Sequence, residues 1–114
     1  MTILITGRNM EVKQSTRAYV ERRLRRLEKI SRRFSGVEVI LNQIGEAYEA
    51  EMRVRADKGE FFATHGGNFL RSTIDQCIDK LERQMNRHIG KLQDRRRRAS
   101  VVDSAVAELS ADRA

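Results

Sequence analysis

The side chains that could carry out a reaction are few, and none stands in a productive pattern. His65 falls at the end of a predicted strand and His88 on the apolar edge of a predicted helix, neither with a neighbouring carboxylate or cysteine in sequence. Packing or surface roles suit both better than proton transfer or metal binding. Cys77 is the only cysteine, which excludes an intrachain disulfide and a thiolate metal cluster; its place in an apolar stripe makes it a small buried hydrophobe. Asp75 and Asp79, spaced i, i+4, could in principle hold a cation, yet acids near the start of a helix are favoured by its dipole alone. Gly66-Gly67 before a helix is a weak phosphate-loop signal, better read as a turn. The expectation is a protein that is not an enzyme, with no metal and no cofactor.

The residues that do repeat with a purpose are basic. Lys80, Arg83, Arg87, Lys91, Arg95 and Arg98 recur at steps of three and four, which places them along one face of a helix. The parallel stripe Ile74, Cys77, Ile78, Leu81, Met85, Ile89 and Leu92 faces the core. Asp75, Asp79 and Glu82 are expected on the opposite flank, away from the bases. A second row, Arg22, Arg26, Lys29 and Arg33, opposes the inward stripe Val20, Leu24, Leu27, Ser31 and Phe34, with Arg23, Arg25 and Arg32 beside it. Residues 14–34 hold eight bases against two acids, Glu21 and Glu28. Arginine dominates, and its planar fork suits bidentate phosphate contacts. A formal charge of +7 and a pI near 10.3 over 114 residues likewise favour an anionic partner.

One small domain must position these rows, since 114 residues leave no room for two. Ile3–Thr6 reads as a strand closed by Gly7, and a helix starts at Gln14 or Ser15, with Ser15 the better cap. That helix is expected to run to Phe34 and to end at Ser35-Gly36. Val37–Leu41 forms a strand with Val37, Val39 and Leu41 inward. After a turn at Gly45-Glu46, Ala50, Met52, Val54 and Ala56 alternate with charged residues as a half-buried strand does. Asp57–Glu60 is a hairpin turn, Phe61–Thr64 a last strand with Phe61 and Ala63 inward, and Gly66-Gly67 breaks it so that Asn68 caps the long second helix.

The predicted class is α+β, in the order β-α-β-β-β-α: a four-stranded sheet with both helices packed on one face. Residues 36–66 carry three bases and six acids, while residues 69–98 carry nine and four, so positive charge is confined to the helical layer. Residues 1–98 form the domain and 99–114 a flexible tail. No apolar run approaches the ~20 residues of a membrane span, and the opening residues are too short for a signal-peptide core; the expected location is the cytoplasm. Stacking aromatics, a zinc finger and a helix-turn-helix are missing, which leaves recognition of structured RNA by shape and phosphate.

Ile5-Thr6-Gly7-Arg8-Asn9-Met10-Glu11-Val12, Leu27-Glu28-Lys29, Ile74-Asp75 and the run Ile78-Asp79-Lys80-Leu81-Glu82-Arg83-Gln84-Met85-Asn86-Arg87-His88 resemble the ribosome hibernation promoting factor and ribosome-associated inhibitor A family, also called sigma-54 modulation proteins. The resemblance covers about residues 2–95. It implies the β-α-β-β-β-α fold, similar to double-stranded-RNA-binding domains, and binding to the small ribosomal subunit near the decoding centre. There such proteins overlap the tRNA and mRNA paths and silence translation in stress or stationary phase. The family's basic positions map onto Arg23, Arg26, Lys29, Lys80, Arg83, Arg87 and Lys91.

One departure is Phe69-Leu70-Arg71, where family members usually have Asp-Met-Tyr. Long members add a C-terminal domain that dimerises; a chain of this length is expected to lack it and to be monomeric when free, and its direction of action on ribosome pairing is open. The expected partner is the small subunit, through rRNA and ribosomal proteins, with no membrane and no small-molecule substrate. A generic structured-RNA architectural protein and a protein-interaction transcription modulator are the alternatives.

Overall fold

In the computed structural model the described residues are 2–30, 34–56 and 59–100, with side chains left aside at 89 and 91–100. The elements are β1 (Thr2–Arg8), α1 (Gln14–Arg25) continued by a 3₁₀ turn (Arg26–Lys29), β2 (Phe34–Ile44), β3 (Ala47–Ala56), β4 (Gly59–Gly67) and α2 (Leu70–Ser100). The sheet order is β1-β2-β3-β4, with β1 parallel to β2 and the other pairs antiparallel. This is the expected α+β arrangement. A parallel pair needs a crossover, and α1 supplies it.

Alternation decides which face of the sheet is covered. Val37, Val39 and Leu41 of β2, Ala50, Met52 and Val54 of β3, and Phe61 and Ala63 of β4 are buried, as their phase predicts. Against them lie Val20 and Leu24 of α1, Leu27 of the 3₁₀ turn, and Ile74, Cys77, Ile78, Leu81 and Met85 of α2. Each fully buried Leu, Ile or Met in this cluster contributes about 1.5–3 kcal/mol. The other face of the sheet is open, with Leu4, Glu38, Arg53 and Phe62 exposed in one row across the four strands.

Several boundaries differ from the expectation. Helix α1 starts after Lys13, whose carbonyl accepts the Arg17 N–H at 3.0 Å; Ser15 lies inside the first turn and makes no cap. The α-helix stops at Arg25 rather than running to Phe34. A 3₁₀ turn follows because its three-residue repeat keeps Leu27 under Leu24 as the chain turns back. Phe34 belongs to β2, paired with Ala56, and Ser35-Gly36 lie within that strand. Ser31, Arg32, Arg33, Asp57 and Lys58 lie outside the described residues.

Gly66 and Gly67 do not break β4; they are its last two residues, paired with Glu49 and Tyr48. Gly67 is a packing glycine: a Cβ there would sit 2.7 Å from Thr73 Oγ1. The residue before α2 is Phe69, not Asn68, and its carbonyl accepts the Thr73 N–H at 3.0 Å. The hairpin at Gly45-Glu46 holds, with Gly45 at φ +61°, the left-handed value a two-residue turn needs at its first position. Ala99 and Ser100 still belong to α2, and the rest of the tail expected over 99–114 lies outside the described residues.

Candidate nucleic-acid interface

The apolar stripe of α2 fixes the direction of every other side chain on that helix, because residues three and four apart share a face. With Ile74, Ile78, Leu81 and Met85 turned to the sheet, Arg83 and Arg87 are directed outward and are exposed. Lys80 is exposed too, but its ammonium reaches the sheet edge and donates to the Thr64 carbonyl at 2.8 Å. Beside it, Gln84 closes a two-way bond with β4: its Nε2 donates to Phe62 O at 2.7 Å and its Oε1 accepts from Phe62 N at 3.4 Å. These side chains anchor α2 along β4 and occupy part of an edge that would otherwise invite strand pairing.

On α1 and its 3₁₀ continuation, Arg22, Arg25, Arg26 and Lys29 line one shallow concavity with Ala18 and Glu21. The predicted row Arg22, Arg26 and Lys29 is therefore brought together, and Arg25, expected beside it, joins it at the end of the α-helix, three residues after Arg22. Among the described residues, no carboxylate pairs with Arg22, Arg26, Lys29, Arg83 or Arg87. Their charge is free for an outside anion. Arg33 lies outside the described residues, as does the side chain of Lys91.

Arg23 is different. Its guanidinium spans the seam between the helices, 3.2 Å from Asp79 and 3.8 Å from Asp75 of α2, with only 23% of the side chain exposed. Tyr19, one turn earlier, donates its hydroxyl to Asp75. That hydrogen bond, together with burial and the carboxylate's charge, raises the Tyr19 pKa. The expectation that Asp75 and Asp79 point away from the bases is thus corrected: they face α1 and its Arg23. Two carboxylates left bare in this seam would repel phosphate, and Arg23 offsets part of their charge. Sequence periodicity missed this role because it compares residues within one helix, whereas the partner is on the other.

The seam continues toward the start of α2. The Arg71 guanidinium lies 4.5 Å from the Tyr19 ring centroid and that of Arg22 5.6 Å from it, both within cation–π range. The stacking of Arg71 on Tyr19 joins two helices and is not legible from spacing.

Cys77 and His88 both lie against β4. The Cys77 thiol, fully buried, points at the carbonyls of Ala63 (3.4 Å) and Ala50 (3.6 Å). Burial pushes its pKa up to about 12, so the nucleophilic thiolate is suppressed. His88 meets Phe61 edge-on at 5.4 Å. Among the described residues, no three of His, Cys, Asp and Glu converge as a metal site requires, and no helix is long and apolar enough to cross a membrane.

Both the sequence and the arrangement of two helices on one four-stranded sheet are shared with known proteins. The chain is 33% identical over 92 residues to the ribosome hibernation promoting factor of Salmonella typhimurium, covering 81% of this chain and 97% of that one. With the ribosome-associated factor Y of Haemophilus influenzae it shares 27% identity over 104 residues, covering 91% and 97%. The crystal structure of the Thermus thermophilus Protein Y N-terminal domain superposes with a TM-score of 0.72 at 32% identity, over 76% of this chain and 98% of that one. A ribosomal subunit interface protein from Coxiella burnetii has the same fold, with a TM-score of 0.74 at 20% identity over 79% and 99%. The model of the Sigma 54 modulation protein / S30EA ribosomal protein family matches residues 3–93, and the chain belongs to that family.

Proposed function

We propose that this protein is a cytoplasmic ribosome-binding hibernation factor that silences translation by occupying the decoding region of the small subunit. The observation that carries this reading is the pair of basic patches, Arg22/Arg25/Arg26/Lys29 and Arg83/Arg87 with Lys80 at its margin, on the outer side of one helical layer. Relatives named ribosome hibernation promoting factor and ribosome-associated factor Y support a ribosomal polyanion as the partner. The mechanism is occlusion. The core-facing stripes hold the helices at a fixed spacing, the patches engage rRNA phosphates on either side of the seam, and the body of the domain fills space that tRNA and mRNA need. No step of bond making is involved.

Engaging about six phosphates implies that affinity falls roughly 10³-fold between 50 and 200 mM salt. The test is competition. Labelled protein bound to purified small subunits is challenged with excess blunt duplex RNA and, separately, with tRNA and mRNA. Retention against duplex, with displacement or mutual exclusion by tRNA and mRNA, is the expected result. Free exchange onto duplex RNA would instead make the protein a general binder of structured RNA.

A further inference from the structure

Phe69 is the most exposed large hydrophobe among the described residues, at 74%. It is not loosely held. Its carbonyl accepts the Thr73 N–H at 3.0 Å, Thr73 Oγ1 at 2.7 Å and Ser72 Oγ at 3.4 Å, and Thr73 is itself buried. Its neighbour Leu70 packs against the core, which turns the Phe69 ring outward from a fixed backbone. Arg71 follows, its guanidinium over the Tyr19 ring and, among the described residues, without a carboxylate partner. Ser15, Thr16, Tyr19, Leu70, Arg71 and Ile74 line a small cleft there. A firmly held, exposed aromatic two residues from a stacked arginine with no carboxylate beside it is a combination suited to an unpaired nucleotide. The ring offers a face for the base, and the arginine a charge for its phosphate.

We propose that Phe69 and Arg71 form an accessory contact for a single unpaired ribonucleotide, the base stacking on the Phe69 ring and the adjoining phosphate meeting Arg71. This rests on the RNA-binding reading above and adds an element that the basic patches lack, since phosphate contacts alone do not distinguish single strands from duplex. Charge selects the occupant: Arg71 lines the cleft, and Tyr19, which also lines it, carries the guanidinium groups of both Arg71 and Arg22 on its ring.

The chain contains no tryptophan, so Phe69→Trp places a lone reporter at the site. Its fluorescence is read against an oligouridylate and a blunt RNA duplex, and binding of wild type, Phe69→Ala, Phe69→Leu and Arg71→Ala is measured with both RNAs. Quenching by the oligouridylate but not by the duplex is expected. Phe69→Ala and Phe69→Leu should each lose about 5- to 150-fold in oligouridylate affinity, the range of a single base–aromatic stack, with duplex affinity unchanged. Arg71→Ala should weaken oligouridylate binding and lessen its salt dependence.

Unchanged oligouridylate binding by Phe69→Ala, unquenched indole fluorescence from the Phe69→Trp variant, or equal losses on both RNAs would overturn the stacking contact while leaving the basic patches intact. Wild type that binds neither RNA nor small subunits would overturn both readings.

Discussion

Of the bases that spacing and family resemblance assign to RNA, Arg23 is the one whose replacement should act chiefly on stability. Its guanidinium links α1 to Asp79 at 3.2 Å and Asp75 at 3.8 Å in a partly buried seam. Exposed pairs of this kind are worth about 0–1 kcal/mol, and breaking a fully buried one costs about 3–5 kcal/mol. With 23% of the side chain exposed, Arg23→Ala falls between those limits. A second observation pulls the figure down: Arg23 Nε is buried without a hydrogen-bond partner, a desolvation cost the native residue already carries. The net loss is therefore about 1–2 kcal/mol, and about half that for Arg23→Met, which keeps the aliphatic stem in the seam.

For a domain near 100 residues, each kcal/mol lowers Tm by about 4–8 °C. Arg26→Ala and Arg87→Ala, at exposed positions, should change stability by less than about 0.5 kcal/mol while weakening RNA binding. Thermal unfolding by circular dichroism, paired with RNA affinity at two salt concentrations, separates the classes. If Arg23→Ala kept wild-type Tm and lost RNA affinity with the same change in salt slope as Arg87→Ala, the inter-helix role of Arg23 would be refuted.

Two further outcomes follow from the core. The Cys77 pKa, raised by burial from 9.0 to about 12, means that between those values the unfolded chain has released a proton the folded chain retains; Cys77 should lower stability by about 1.4 kcal/mol per pH unit across that window. Chemical denaturation between about pH 9 and 11 should show a shallower slope for Cys77→Ala, which keeps the smaller contribution of Tyr19, whose pKa is also raised. Gly7→Ala would place a Cβ 2.5 Å from the Met10 carbonyl oxygen and should cost about 2 kcal/mol, read as a lowered urea midpoint, whereas Gly36→Ala, whose Cβ would meet only Thr2 O at 3.6 Å, should leave the midpoint nearly unchanged.

The parts legible in the sequence are those governed by period. The steps from Ile74 to Met85 determine which side of α2 meets the sheet, and with it the outward direction of Arg83 and Arg87. The alternation from Ala50 to Ala56 determines β3. Phe34 was misplaced because seven residues after Leu27 it fits helical phase as well as strand phase, and only pairing with Ala56 decides. Gly66-Gly67 reads as a break because glycine disfavours strands on average; at Gly67 close contact with Thr73 demands a residue without a Cβ. The seam of Tyr19, Arg23, Arg71, Asp75 and Asp79 depends on how two helices lie against each other, which no spacing within either can encode. The same holds for Lys80 and Gln84, whose bonds to β4 follow from the tertiary path alone.

On the proposed function, the outer surface of the helical layer is held to the small ribosomal subunit by its unpaired bases. Co-sedimentation of wild type and an Arg26→Glu/Arg87→Glu double variant with purified small subunits, between about 50 and 200 mM salt, tests it most directly. Neither side chain has a carboxylate partner among the described residues, so the variant should fold as the wild type does. Wild type should pellet with subunits at low salt and be released steeply as salt rises, while the double variant stays in the supernatant throughout. Equal pelleting of the two proteins would mean that these bases do not hold the protein to the subunit.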